Sequence, residues 1–117
     1  MAGNKYGAKK IKDPATGYVF DSKKEFIRWC ELRILEKAGK ISKLRRQVKY
    51  VLIPAQYEGK YKAESETSYI ADFVYKDESE REIVEDVKGY KRGAAYQLFV
   101  IKRKLMLQKY GIRIKET

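Results

Sequence analysis

The sequence has no histidine, one cysteine and two prolines among its 117 residues. Without histidine, His-based metal nucleases, histidine general bases and imidazole-containing zinc sites are excluded. A single cysteine cannot form a disulfide within the chain, which favours a cytoplasmic protein. We expect Cys30 in the core, because it follows Trp29 in an apolar helical pattern. Catalysis would therefore depend mainly on carboxylates, lysine or tyrosine.

Long apolar runs are also absent. No run approaches the roughly 18–20 residues that cross a bilayer, and the basic start lacks the apolar segment of a signal peptide. The length suits one core. We therefore expect a single domain over residues 1–117, with a basic arm and a short hairpin at residues 1–20. The turn of that hairpin is DPATG, residues 13–17.

Positive charge is abundant: 27 basic and 16 acidic residues give a net charge of +11. Such a balance favours a polyanionic partner, most often nucleic acid. Acidic residues concentrate between Asp77 and Asp86, which suggests either a bound cation or a solvated turn. For Asp77, Glu78 and Glu80 the solvated turn is the preferred interpretation.

Hydrophobic periodicity predicts the order helix, three strands, helix, strand. Ser22 to Glu25 read as a capping box, S-x-x-E, ahead of the first helix, and Gly39 is a stop signal. Leu98, Ile101 and Leu105 predict the buried face of the second helix. The predicted strands are 46–53, 69–75, 82–88 and 112–114, and the second helix is 94–109. The fold class is α/β (α+β), with a mixed sheet flanked by helices.

Two aspartates and a lysine carry the predicted chemistry. Residues two apart in a strand share a face, so Asp86 and Lys88 project together. An odd-length hairpin loop sets Asp72 opposite Asp86, whereas an even loop brings Glu85 there instead. Two neighbouring carboxylates repel unless a cation separates them, and a hard ion such as Mg²⁺ or Mn²⁺ suits their oxygen ligands.

The segments YIADF (69–73) and IVEDVKG (83–89) resemble the signature of the PD-(D/E)XK nuclease superfamily. More narrowly, residues 17–115 are similar to a family of small phage-encoded proteins placed in that superfamily, with a core like that of Holliday-junction resolvases. The position before Asp72 is Ala71 rather than proline, and the second motif carries Asp86 rather than glutamate.

The resemblance implies a restriction-endonuclease-like αβββαβ core. It implies Asp72, Asp86 and the Val87 carbonyl as Mg²⁺ ligands, Lys88 acting on the attacking water, and Glu25 as a further catalytic residue from the first helix. Glu25 has a second interpretation as the capping-box glutamate. Asp86 and Lys88 alone would read as an ion pair, and Glu85 is a second-tier candidate.

Basic residues around the second helix are candidates for nucleic-acid contacts, although a solvated face is the simpler interpretation. The candidates are Lys91, Arg92 and Lys104 for phosphate, with Gln97 near the metal site.

These observations predict an endonuclease that hydrolyses DNA with Mg²⁺ or Mn²⁺. The enzyme would act on branched DNA in phage recombination or replication, as a homodimer that supplies two active sites. The alternative is a non-catalytic nucleic-acid-binding module on the same scaffold. An RNase H-type nuclease ranks third, because it needs more dispersed carboxylates and no D-x-K lysine.

Overall fold

The computed structural model describes residues 9–117 and shows an α+β fold with two helices and two sheets. The elements are β1 (Ile11–Lys12), β2 (Val19–Phe20), α1 (Lys23–Lys37), β3 (Ser42–Ile53), β4 (Thr67–Lys76), β5 (Glu82–Asp86), α2 (Ala94–Tyr110) and β6 (Lys115–Glu116). The predicted hairpin is present as β1 and β2, and the predicted αβββαβ order follows it. The first residues of the predicted basic arm, 1–8, lie outside the described part of the chain.

The larger sheet has the strand order β3-β4-β5-β6. A long loop, residues 54–66, joins β3 to β4, a short turn, residues 77–81, joins β4 to β5, and both pairs are antiparallel. The chain then crosses over through α2, so β6 pairs with β5 in parallel. The sheet is therefore mixed, as predicted.

Each face of the sheet packs on one helix. One core joins the sheet to α1 and contains Phe20, Trp29, Leu32, Ile41, Phe73 and Tyr75. The other joins the sheet to α2 and contains Leu52, Tyr69, Ala71, Val74, Val84, Phe99, Met106 and Ile114. Burial of these apolar surfaces is the main force that fixes the two helices on the sheet.

Helix α1 begins and ends where local sequence dictates. The Ser22 side chain accepts a hydrogen bond from the Glu25 backbone amide at 3.1 Å, which caps the first turn. At the other end Gly39 has a φ of +77°, a conformation that costs glycine little. Gly39 and Lys40 donate to the carbonyls of Glu36 and Leu35, forming a Schellman motif.

The buried face predicted for α2 was correct at Leu105, which packs against the α2-side core, but wrong at Leu98 and Ile101. Leu98 and Ile101 are 53% and 55% exposed, whereas Phe99 and Met106, two turns apart, are buried. Residues 98–101 are all apolar, so periodicity alone left the rotation of the helix ambiguous. The tertiary packing of Phe99 against the sheet decides it.

Two other predictions need correction. Cys30 is exposed rather than in the core, because α1 turns Trp29 and Leu32 towards the sheet. The last strand is Lys115–Glu116 rather than 112–114. The chain leaves α2 at Gly111 and first buries Ile114 in the α2-side core, and only then reaches the edge of the sheet.

Within residues 9–117, neither helix is both long enough and apolar enough to span a membrane.

Candidate functional site

The hairpin between β4 and β5 has the register predicted for an odd loop. Five residues, 77–81, separate the paired residues Lys76 and Glu82. The same register pairs Phe73 with Glu85. Continued by one residue, it places Asp72 opposite Asp86.

The acidic turn of this hairpin has a structural role. The Asp77 side chain accepts hydrogen bonds from the backbone amides of Ser79 and Arg81, at 2.8 and 2.9 Å. These bonds lower the pKa of the Asp77 carboxyl. Glu78 and Glu80 are exposed. The solvated-turn interpretation of these three residues therefore agrees with the geometry.

A cavity of about 690 Å³ lies where β5 ends and α1 begins. Its lining comprises Asp21, Ser22, Glu25, Asp72, Asp86, Val87, Gly89 and Tyr90. Four of the predicted site residues thus come from three separate elements to one place.

Asp72 occupies an electrostatically costly position in this cavity. Its Oδ2 accepts a hydrogen bond from the Val87 backbone amide at 2.7 Å, and no other described residue donates to the carboxylate. Burial, together with the negative charges of Asp86 and Glu25, raises the pKa of Asp72 to about 7. Near neutral pH, a cation beside Asp72 would favour its charged form.

Two side chains hold Asp86. The Tyr69 hydroxyl donates to Oδ2 at 2.7 Å, and the Lys88 ammonium lies 3.2 Å from Oδ1. Burial and the adjacent Asp86 carboxylate raise the pKa of Tyr69 above its usual value, so Tyr69 stays a proton donor. Asp86 is therefore fixed in one orientation.

Sequence reasoning did not identify Tyr69 as a residue of the site. In a regular strand Tyr69 and Asp72 face opposite sides. In β4, however, Tyr69, Ala71 and Val74 all belong to the α2-side core, so the alternation reverses near Asp72. The neighbouring β3 residue at this level is Gln47, whose φ is +55°. This irregularity carried no recognisable sequence signature.

Lys88 is drawn towards α2. Its ammonium lies 3.4 Å from the centre of the Phe99 ring as well as beside Asp86. The cation–π contact and the ion pair hold the ammonium between the Phe99 ring and Asp86. The structure thus contains the Asp86–Lys88 ion pair of the simpler interpretation, in contact with the candidate site.

The Glu25 side chain lies in the cavity, and none of the hydrogen bonds among the described residues joins it to the Ser22 backbone amide as a capping-box glutamate would. The Glu25 backbone amide is capped by Ser22, and its buried side chain lines the cavity, with Oε1 4.0 Å from Arg46. Burial and the nearby Asp21 charge raise the pKa of the Glu25 carboxyl. A helix-start position and a place in the site are therefore compatible.

Glu85 faces the other side of the sheet. Arg28 of α1 donates two hydrogen bonds to its carboxylate, at 2.8 and 2.7 Å, and the Tyr75 hydroxyl donates a third. These partners lower the pKa of Glu85 despite complete burial. Glu85 ties α1 to β5 and does not line the cavity.

The four residues predicted to contact nucleic acid do not line the cavity. Lys91 lies 3.9 Å from Glu116, and the Arg92 guanidinium lies over the Tyr90 ring. Gln97 and Lys104 are exposed on α2. The lysine and arginine charges flank α2 rather than converge on Asp72.

The donor set can be compared with what a metal requires. Within residues 9–117, no group of three or more Asp, Glu, His or Cys side chains is arranged to hold a metal ion. Mg²⁺ needs fewer, because it keeps several waters and binds through one or two carboxylates. Val87 lines the same cavity, and its amide donates to Asp72. Asp72, Asp86 and Val87 therefore fit Mg²⁺ or Mn²⁺.

These features define a class: an α+β protein with a mixed sheet between two helices and an aspartate pair in a cavity beside β5. A family model described as "Protein of unknown function (DUF1064)" matches residues 3–116, and the chain belongs to this family. No curated protein and no solved structure matches the chain.

Proposed function

We propose that this protein is a metal-dependent endonuclease that hydrolyses phosphodiester bonds in DNA. The observation that carries the proposal is that Asp72 and Asp86 line one cavity together with Val87. Lys88 lies beside Asp86. The resemblance of YIADF and IVEDVKG to the PD-(D/E)XK signature supports it.

Asp72, Asp86 and the Val87 carbonyl would hold Mg²⁺ or Mn²⁺. The ion would polarise the scissile phosphate and lower the pKa of its bound water. Tyr69 keeps Asp86 oriented, and Glu25 adds a further carboxylate to the cavity wall. Lys88 supplies a positive charge that can orient the attacking water.

The net charge of +11 supports DNA as the partner. A chain of this size has little surface to read a long sequence, which favours recognition of DNA shape, such as a Holliday junction. By analogy with the resembled phage proteins, we place its work in phage recombination or replication, in the cytoplasm of a bacterial host.

Cleavage assays test the activity directly. Labelled duplex, nicked and four-way DNA would be incubated with wild-type protein in Mg²⁺, in Mn²⁺ and in EDTA. We expect cutting only with metal. D72N should lower the rate at least about 100-fold, because the variant loses a charged ligand, whereas E78Q, an equal charge change in the exposed turn, should cut normally.

A non-catalytic nucleic-acid-binding module remains the second candidate. It is favoured by the missing third metal-ligating side chain among the described residues and by the Lys88–Asp86 contact. Tight binding of the wild-type protein to DNA, without metal-dependent cutting of any substrate, would select this candidate and contradict the first.

A homodimer would supply two cutting centres related by a two-fold axis, as paired nicks in a symmetric junction require. Sedimentation equilibrium with and without junction DNA measures this. We expect two protein chains per junction; one chain per junction would contradict the dimer while leaving the cleavage chemistry intact.

A further inference from the structure

A second groove, of about 650 Å³, lies between α1 and the edge strand β6. Its lining includes Lys23, Lys24 and Ile27 from α1, Val87 from the end of β5, and Lys115 and Thr117 from the last strand region. The volume falls in the range of small-ligand sites, roughly 300–1,000 Å³. It suits one nucleotide and not a duplex.

The groove adjoins the candidate site at one shared lining residue. Val87 lines both the groove and the aspartate cavity. A nucleic-acid strand held at Asp72 and Asp86 would therefore meet this groove next along its path. Neither opening is lined by Lys91 or Arg92, which precede α2, or by Lys104 of α2.

The lining pairs an apolar floor with a basic rim. Ile27 is 46% exposed although it is a large aliphatic residue, and Val87 lies beside it. The Arg28 charge is already neutralised by Glu85 and Glu31, and Lys24 donates to the Lys88 carbonyl. The ammonium groups of Lys23 and Lys115, by contrast, form no ion pair or hydrogen bond with a described residue.

We propose that this groove holds one unpaired nucleotide of the cleaved strand. Its base lies against Ile27 and Val87, and the flanking phosphates lie at Lys23 and Lys115. The inference rests on the proposed nuclease function and narrows its substrate class. A base stacked in duplex cannot reach the floor, so the substrate carries an unpaired nucleotide beside the cut, as at a branch or flap.

A binding experiment tests the groove without cleavage. D72N protein, inactive under the proposed function, would be titrated with flap DNA carrying 2-aminopurine at single positions beside the branch. One position should change fluorescence on binding. Adding K23A and K115A to D72N should weaken binding about tenfold through lost phosphate contacts. Adding K60A and K62A, an equal charge change in the exposed β3–β4 loop, should weaken it less than about threefold. Equal effects of the two pairs would overturn the proposal.

A cleavage experiment tests the base contact. An abasic nucleotide would be placed at each position beside the cut, in assays with wild-type and I27S protein. We expect one position where the abasic change slows cutting by the wild-type protein about tenfold but slows cutting by I27S little. Removal of the base and removal of the Ile27 side chain break the same contact, so the second change adds little to the first. Equal slowing of both proteins at every position would overturn the proposal.

The half-exposed position of Ile27 lets I27S fold, which circular dichroism checks. If no substrate is cut at all, the nuclease proposal fails while the binding experiment still decides the groove. If K23A and K115A weakened binding to flap DNA and to fully paired duplex by the same factor, the groove would bind phosphates in general. That result would contradict the proposal that it holds an unpaired nucleotide.

Discussion

Asp72 links the protonation of the site to the stability of the fold. Its pKa of about 7 lies above the value of 3.8 that an unperturbed aspartate has. The native state therefore binds this proton more tightly than the unfolded state does. The resulting stability is complete below about pH 4 and is lost as the pH rises through 7.

We expect D72N to remove this dependence. At pH 8 the variant should be more stable than the wild type by about 2 kcal/mol, because it carries no buried charge. Near pH 4 the two should be nearly equal. Urea denaturation across this pH range measures the difference, with E78Q as the control; a wild-type curve parallel to that of D72N would contradict the raised pKa.

The same carboxylate should make metal binding depend on pH. Mg²⁺ should raise the melting temperature of the wild-type protein at pH 8 more than at pH 5.5, since Asp72 must lose its proton to bind the ion. D72N should show little shift at either pH. Thermal denaturation with and without Mg²⁺ gives the measurement, and an equal shift in the two proteins would place the ion elsewhere.

Tyr69 offers a conservative test of how Asp86 is oriented. Y69F removes one hydroxyl and its 2.7 Å hydrogen bond to Asp86. We expect about a 10- to 100-fold loss in metal affinity or cleavage rate. Tyr50 makes a matching 2.8 Å bond to Glu82 outside the cavity, so Y50F should leave both quantities unchanged. Similar losses in both variants would indicate a general destabilisation.

The sequence was sufficient to narrow the residue opposite Asp72 to Asp86 or Glu85, because side chains alternate along a strand, but it did not determine the loop parity that selects Asp86. The sequence was insufficient to predict the hydrogen bond from Tyr69 to Asp86, because the Tyr69 hydroxyl reaches Asp86 only through the reversed alternation near Asp72. The sequence also could not show that the basic residues predicted around α2 lie outside the lining of the cavity, because charge along a chain does not show where a cavity opens.

At the scale of elements, α1 is fastened to β5 by a buried ion pair between Arg28 and Glu85. The removal of one partner from such a pair leaves an uncompensated charge. We expect E85A to destabilise the fold by about 3 kcal/mol, against about 1 kcal/mol or less for E82A, a partly exposed pair on the same strand. Urea denaturation distinguishes them, and equal losses would contradict a special role for Glu85.

The order of helices and strands was predictable because each element carries its own local pattern, such as the Ser22 cap and the glycine after α1. The rotation of α2 was not predictable, because four consecutive apolar residues offer more than one buried face. The position of β6 depended on Ile114 entering the core first, a long-range contact with no local pattern.

At the scale of the whole molecule, charge should dominate the affinity for DNA. A net charge of +11 predicts that the dissociation constant rises at least about 100-fold between 50 and 200 mM salt, as counterion release weakens. D72N should keep this dependence and bind equally or slightly more tightly. Fluorescence anisotropy over a salt series measures it; an affinity that hardly varies with salt would exclude phosphate contacts as the main attraction.

The end of the described chain secures the strand that carries the aspartate. The Thr117 amide donates to the Asp86 carbonyl at 3.0 Å, and its carbonyl accepts from the Lys88 amide at 2.9 Å. Residues 86–88 are thereby clamped from the side opposite Asp72. If a protein fused directly after Thr117 pulled Thr117 away from β5, both helices would stay folded. The segment that carries Lys88 would nevertheless be released.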